Sequence, residues 1–480
     1  MRLIAKGGIM TVAVEKTGKV ISKTIPGERF TPLGLAKKLK ARVLLESASF
    51  RGGRERYSIL VLKEAFSIKE TKEGIFMEKG GKLHKIKNGG KDVLSVLAYF
   101  AGQHAGQAFP FPFPAGGAGY LSYEYCRKFD TIRLSEKSDS LGVPAAYFLF
   151  GHVFLVFDHY TDTLGLVGVN YKEAHIDLER ALRETEERIN DLDFNYLNSR
   201  PVDSRAVLLT PAAEREEYIE GVKKVKEEIV RGNLLQGVLS RRLVFRTALS
   251  AMDAYRSLRS VNPSPYMFFL DYGAFQVFGS SPEVHVKVRD GRAVMRPIAG
   301  TRPRGRDEAE DKRLEAELLA DEKEKAEHLM LVDLARNDLG RISEAGSVRV
   351  TEANVIERYS HVMHIVSQVE GRLAEGKTGI DAVRATFPAG TVSGAPKIKA
   401  IEVIDSLERE ARGFYAGVVG YLEPSGNLDT CITIRSALKI DDRLVLQAGA
   451  GIVYDSVPER EYEETSAKLR ALGKAIGVEV

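Results

Sequence analysis

Strand-like runs in this chain come in series and helical runs come in blocks, with no regular strand–helix–strand rhythm joining them. That order excludes a doubly wound parallel sheet and predicts an α+β fold built on mainly antiparallel sheet. Strands are expected over 43–49, as a meander over 57–87, and as a pair over 145–170 turning at 158–163. They recur over 266–271, 274–279, 284–288, 292–298, 415–422, 429–439 and 443–454. Short strands with glycine turns, one of them at Lys16-Thr17-Gly18, are expected over 1–30. NLLQGVLSRRLVF, from Asn233, is a further strand, and its Gln236 must find hydrogen-bond partners in an apolar setting.

Helices are read from apolar spacing and end signals. Thr31 and Pro32 open one, and Asp92 begins another through DVLSVLAYF. Others are expected over 174–192, 213–231, 307–320, from 381 to 387, and from 458 to 476. In the second, Tyr218, Val222, Val225 and Ile229 make the buried stripe and Gly232 ends it. The polar stretch 194–206 divides an N-terminal part, 1–200, from a second part, 206–480.

Across 480 residues, 44% hydrophobic and 28% charged residues describe an ordinary globular chain, and a net charge of +4 argues for neither a nucleic-acid nor a membrane partner. The two cysteines, Cys126 and Cys431, form no metal spacing and no disulfide framework. No signal peptide or membrane-length apolar run is present, so a cytoplasmic protein is expected.

The strongest chemical signal lies in DEKEKAEHLMLVDLARNDLGR, from Asp321. Asp321 is placed to N-cap a helix that Gly340 would stop, and Glu324 and Glu327 share one face. The same E-x-x-E spacing recurs as Glu461 and Glu464, just after Pro458, a good first-turn residue. Two such helices could build a four-carboxylate pocket, which repels itself unless a hard cation such as Mg2+ enters it. The spacing equally fits solvated faces, with Glu324 closing a capping box.

Other segments are individually open. Glu283 lies at a strand-to-strand turn, where a carboxyl at a pocket edge can act as general acid or simply be exposed. Arg435 alternates with apolar neighbours in TCITIRSA; inside a sheet it would need an anion, from the protein or from a ligand. PAGTVSGAPK, 388–397, fails the phosphate-loop pattern, and Gly449 and Gly451 complete no dinucleotide fingerprint, although their N–H groups could cradle a carboxylate. His361 and His364 lack a third ligand at a known spacing.

In this order, EHLMLVDLARND, PIAGTRPRG, PAGTVSGAPK and GAGIVYDSVPEREYEET resemble the chorismate-utilising enzymes, most closely their anthranilate synthase component I branch. The resemblance covers about residues 210–475 and extends more weakly through VLLES, ERYSIL and GGAGYLSYEY. It implies a β-sandwich of large antiparallel sheets with helices packed outside. It implies Mg2+, with Glu327 and Glu464 matching the direct ligands and Glu324 and Glu461 their supporting partners. Glu283 matches the general acid for the C4 hydroxyl of chorismate, and His364 a histidine near that leaving group. Tyr415, Arg435, Gly449, Ala450 and Gly451 match contacts to the substrate carboxylates, Gly300 and Thr301 contacts on the ring side, and Thr391 a pocket residue.

Two positions discriminate within the resemblance. Water-adding members carry lysine where Gln236 stands, and members that aminate at C4 usually carry lysine where Ala299 stands. Neither lysine is present, which implies amination at C2 and loss of pyruvate to give anthranilate. Ser47, with Pro265, Tyr266 and Met267, matches segments that bind tryptophan as a feedback inhibitor. The chain has no glutaminase triad, so the resemblance implies a separate glutamine amidotransferase subunit and a hetero-oligomer.

Overall fold

The computed structural model describes residues 19–47, 56–137, 140–191, 205–359 and 362–478. The expected turn at Lys16-Thr17-Gly18, the end of the 43–49 strand, most of the polar boundary at 194–206, and His361 lie outside the described residues.

The ladders are antiparallel and join the strands into one network that doubles over on itself. Two long strands make the fold-over. Tyr57–Thr71 and Ala146–Asp158 pair along their length, with register shifts between Val61 and Phe66. On one side of that irregularity they pair with Val43–Glu46 and Thr163–Val169; on the other, with Gly74–Lys79 and Ala118–Leu121. Strands that switch sheets at a bulge form the corners of a sandwich. Gly151 sits at the corner, where an added Cβ would lie 2.6 Å from Val61 Cγ1.

From the long pair the first layer runs outward to Val20–Pro26 on one edge. On the other it passes through Val43–Glu46, Tyr266–Asp271, Phe275–Ser281, Ser436–Ile440 and Arg443–Ile452 to Gln236–Thr247. The second layer passes through Ala118–Leu121, Val418–Leu422, Leu428–Ile432, Val284–Arg289 and Arg292–Met295 to Val362–Arg372. That last strand also carries Ile298–Pro303 and Arg349–Arg358. Strands from both parts of the sequence therefore share both layers.

Period-two alternation sorts the side chains into two cores. Ile59 and Val61 enter one with Phe66, Phe150, Val286 and Val419, between the layers. Leu60 enters the other with Phe269, Leu446 and Leu469, on the outer face of the first layer under the helices Ala251–Val261 and Pro458–Ile476. Each fully buried leucine such as Leu469 contributes about 1.5–3 kcal/mol relative to exposure. Among the described residues no helix is long and apolar enough to cross a membrane.

Most expected elements are present, with differences that have physical causes. The helix expected over 174–192 begins at Leu178, where Asp177 caps it by accepting from Arg180 N. The single strand expected over 429–439 is two, because Arg435 adopts a left-handed φ of 49° between them. Among the elements with no counterpart in the expectations are the helices Ala251–Val261 and Lys397–Leu407 and the strands Arg349–Arg358 and Val362–Arg372.

Candidate active site

The helix Glu322–Gly340 starts as expected, with the Asp321 carboxylate accepting from Lys323 N and Glu324 N at 3.0 and 3.2 Å. It runs through Gly340 to an Arg341 cap instead of stopping at the glycine. The helix Pro458–Ile476 has proline in its first turn. Their acidic faces meet over the end of strand Gln236–Thr247. Burial raises the Glu327 carboxyl above its ordinary range, and Glu324 and Glu464 add to the rise. Glu461 is raised by burial and by Glu464, against the opposing pull of the Ser456 hydroxyl, Lys468 and Lys323.

A pocket of four free carboxylates is not what forms. Glu324 accepts from Arg302 Nη1 at 3.2 Å, and Glu464 pairs with Lys468 Nζ at 2.8 Å. Among the described residues no three acidic, histidine or cysteine side chains close into a metal cage. The reason is electrostatic: carboxylates this dense recruit cations of the protein. Glu461 forms no such pair among the described residues, and neither does Glu327. Glu327 accepts instead from the neutral Gln236 amide at 3.0 Å. An all-oxygen set with one central carboxylate fits Mg2+, which takes few protein carboxylates and completes its shell with water and substrate oxygens.

Gln236 reaches Glu327 because Gly451 lies under it; a Cβ there would come within 2.8 Å of the amide nitrogen. At Gly449 a Cβ would stand 3.1 Å from the Tyr415 hydroxyl, and the Gly449 carbonyl accepts from Lys468 at 2.9 Å. The side chain of Ala450 points into a small core with Val222 and Val225, so this residue offers a ligand only its backbone.

Arg435 is not within a strand, as its alternation with apolar neighbours suggested. It occupies the left-handed bend after Leu428–Ile432, its carbonyl accepting from Ser280 N at 3.1 Å. Its guanidinium has no carboxylate partner among the described residues, and burial makes it less basic than usual. The buried hydroxyls of its chain neighbours Thr433 and Ser436 also lack partners. A buried cation without a carboxylate partner suits an anion.

His364 faces this site from strand Val362–Arg372. Its Nδ1 is 2.9 Å from the Gly300 carbonyl and 3.1 Å from the Thr301 hydroxyl. Burial brings the ring down to about 4, so at neutral pH it is uncharged, with the proton on Nδ1 donated to Gly300 and Nε2 an acceptor. Gly300 has φ 62°, and a Cβ there would lie 3.3 Å from Glu324 Oε2. Glu283 sits between Phe275–Ser281 and Val284–Arg289, as expected, but is buried. Its N–H donates to Ser281 Oγ at 3.3 Å and its carbonyl accepts from Ile432 N at 3.1 Å. Burial lifts its carboxyl to about 8, with Thr391 the one hydroxyl that reaches toward it and offsets the rise.

Ser47, Pro265, Tyr266 and Met267 also come together. Val43–Glu46 pairs with Tyr266–Asp271, and the four residues line one cavity of about 530 Å3. Ser47 Oγ is buried there without a partner, and the Tyr266 hydroxyl donates to Asp429 at 2.9 Å.

Residues 62–474 match the model of the chorismate-binding enzymes. The chain belongs to that family. Among chorismate-binding enzymes it is 60% identical over 465 residues to anthranilate synthase component 1 of Spirochaeta aurantia, covering 96% of each chain. It is 43% identical over 463 residues to the same component of Aquifex aeolicus, covering 93% of this chain and 92% of that one. The solved anthranilate synthase component I of Streptococcus pneumoniae TIGR4 superposes with a TM-score of 0.77 at 37% identity, covering 87% of this chain and 92% of that one. These relatives bear out the resemblance to the component I branch and the antiparallel fold. At 19% identity and a TM-score of 0.72, the menaquinone-specific isochorismate synthase MenF of Escherichia coli shares the fold.

Three features of this chorismate-binding enzyme's site were missed in the sequence. Lys468, one turn after Glu464, neutralises that carboxylate; the i,i+4 spacing was the available signal. Arg302 does the same for Glu324. Arg412 is fully buried behind Tyr415, donating to Glu408, Val238 O and Val392 O, in a segment, EREAR, for which no role was expected.

Proposed function

We propose that this chorismate-binding enzyme aminates chorismate at C2 with ammonia, expels the C4 hydroxyl and eliminates pyruvate to give anthranilate. The observation that carries this reading is the pairing of Arg435, a buried guanidinium without a carboxylate, with Glu283, a buried carboxyl that remains protonated at neutral pH. One holds a substrate carboxylate; the other has a proton to give to a departing hydroxyl. The Gly449–Gly451 backbone and the Tyr415 hydroxyl lie beside the same site and suit a second carboxylate. His364, neutral and oriented by Gly300, presents Nε2 as an acceptor.

Glu327 and Glu464 would hold Mg2+, with Glu324 and Glu461 supporting them. The ion, when bound, would neutralise the ring carboxylate and draw electrons from the diene. Gln236 cannot serve as a base, which favours ammonia over water as the nucleophile, and Ala299 supplies no amine to attack C2 in its place. Ammonia would come from a separate glutamine amidotransferase subunit in a hetero-oligomer; the name component 1 borne by the relatives supports a second component. A cytoplasmic location accords with this role.

The cavity around Ser47, Pro265, Tyr266 and Met267 suits a feedback inhibitor of tryptophan's size. Val419, Tyr421, Asp429 and Cys431 line it too, on two strands that lead to the site. One follows Tyr415 closely; the other ends at Ile432, whose N–H holds the Glu283 carbonyl.

The test is to supply the purified chain with chorismate, Mg2+ and either an ammonium salt or glutamine. Anthranilate and pyruvate from ammonium, and neither from glutamine, are expected. Turnover with glutamine alone would refute the need for a second subunit.

A further inference from the structure

Glu283 also lines a cavity of about 20 Å3 that Arg435 does not reach. A buried water needs roughly 10–15 Å3 and two to four polar partners. Among the polar groups lining this cavity, two are already engaged. His285 uses both ring nitrogens, on Thr430 Oγ1 at 3.1 Å and Thr386 Oγ1 at 3.0 Å. Asp338 accepts from Lys397 at 2.5 Å. Three remain: the Glu283 carboxyl, the Thr391 hydroxyl and the Nε–H of Arg296. Thr391 Oγ1 and Arg296 Nε are both buried with no hydrogen-bond partner. The rest of the Arg296 guanidinium is tied down, Nη2 donating to Glu357 at 2.7 Å and to Glu352 at 3.2 Å, so Nε is held where it is.

A buried arginine N–H and a buried hydroxyl left unpaired each cost stability, and a native fold satisfies such groups with ordered water. We propose that one water occupies this cavity, held by Arg296 Nε–H and Thr391 Oγ1, and that it orients Glu283 for proton donation. The hydrogen-bond roles follow from the partners. Arg296 can only donate, so the water accepts from it and has two protons to give. One goes to the Thr391 oxygen and the other to the nearer Glu283 oxygen. An oxygen that accepts in this way is the carbonyl oxygen of the neutral acid. The acidic O–H is thereby placed on the other oxygen, the one that would serve the departing C4 hydroxyl. In the transfer, the Glu283 O–H bond breaks, the proton joins the C4 oxygen as the C4–O bond breaks, and water leaves. The Glu283 carboxylate then accepts the cavity water's hydrogen bond without taking its proton. Arg296 and Thr391 are on this reading positioning residues, and the cavity is a site for water alone.

This inference rests on Glu283 being the general acid, and the two can fail separately. A high-resolution crystal structure of the whole chain is expected to show one water within hydrogen-bond distance of Arg296 Nε, Thr391 Oγ1 and a Glu283 oxygen; a dry or collapsed cavity overturns the proposal. Thr391→Val keeps the shape of the side chain and removes the hydroxyl. It is expected to lose the water and lower kcat about tenfold, while KM for chorismate stays within about twofold, the size of one hydrogen bond to an ionisable group. Thr391→Ser should restore both. Arg296→Lys keeps the charge facing Glu352 and Glu357 but has no Nε–H, and should behave as Thr391→Val does. Wild-type kcat in Thr391→Val and Arg296→Lys, with the water present in the parent, also overturns the orienting role. Full activity in Glu283→Gln would instead remove the acid assignment itself, whatever the cavity holds.

Discussion

The side-chain amide of Gln236 donates to Glu327 Oε1 at 3.0 Å, and Gly451 leaves it the room to do so. A neutral donor on the central carboxylate keeps that oxygen set available to a cation, where a lysine would compete with one. Gln236→Ala should therefore weaken Mg2+ binding. Without the donor, Glu327 keeps its burial and its neighbours Glu324 and Glu464, and its carboxyl rises further, so protons compete better with the metal. A loss of about three- to tenfold in Mg2+ affinity near neutral pH is expected, measured by titration calorimetry, shrinking as the pH is raised.

Glu283→Gln should lower kcat by about 10²–10⁴ with KM for chorismate little changed, since the lost contact is one made as the hydroxyl departs. The parent enzyme's rate should fall as pH rises through about 8, where Glu283 loses its proton. The stability linkage has the same sign. With the folded pKa raised above the unfolded one, the unfolded chain binds fewer protons between the two values. Stability is then greatest below the ordinary glutamate value and declines up to about 8. Glu283→Gln removes that decline, so its melting temperature should exceed the parent's at pH 9 and match it most closely at pH 4.

Arg435→Met separates binding from folding. The guanidinium is buried without a protein carboxylate, so removing it should leave the melting temperature unchanged or raised. The same variant should raise KM for chorismate by about 10²-fold, the size of a charge-assisted contact to a carboxylate. A large loss of stability with unaltered KM would mean that Arg435 serves the fold.

How much of this was legible in the sequence differs by element. The helix Pro458–Ile476 was readable to the residue, because proline opens it and Gly477, at φ 85°, closes it. The strand Arg349–Arg358 was not. It is mostly exposed, RVTEANVIER shows no clean alternation, and its ladder shifts register at Glu352. Arg435 was read as a possible anion site but placed in a strand, since nothing local announces a left-handed arginine. The acidic pair spacings were visible, whereas the cations that answer them, Arg302 and Lys468, come from tertiary contact and from one overlooked helical turn. The Ser47 cavity required two segments more than 200 residues apart to become neighbouring strands, which no local pattern states.

Ser47→Phe should fill part of the cavity of about 530 Å3 and remove the unpartnered hydroxyl. The concentration of tryptophan giving half inhibition should rise by about tenfold or more, the factor expected from losing one well-made polar contact together with steric exclusion. Activity without tryptophan should stay near the parent's, because Ser47 lines that cavity and not the Glu283 site. Unchanged inhibition would assign the cavity to another ligand.

The most direct measurement is where the nitrogen goes. The purified chain, given chorismate, Mg2+ and nitrogen-15 ammonium at mildly alkaline pH, should release pyruvate and a fluorescent product whose NMR spectrum places the label on the ring carbon next to the carboxylate, as in anthranilate. Label at the carbon that bore the hydroxyl, or an unlabelled isochorismate, would contradict amination at C2 and the discriminating roles assigned to Gln236 and Ala299.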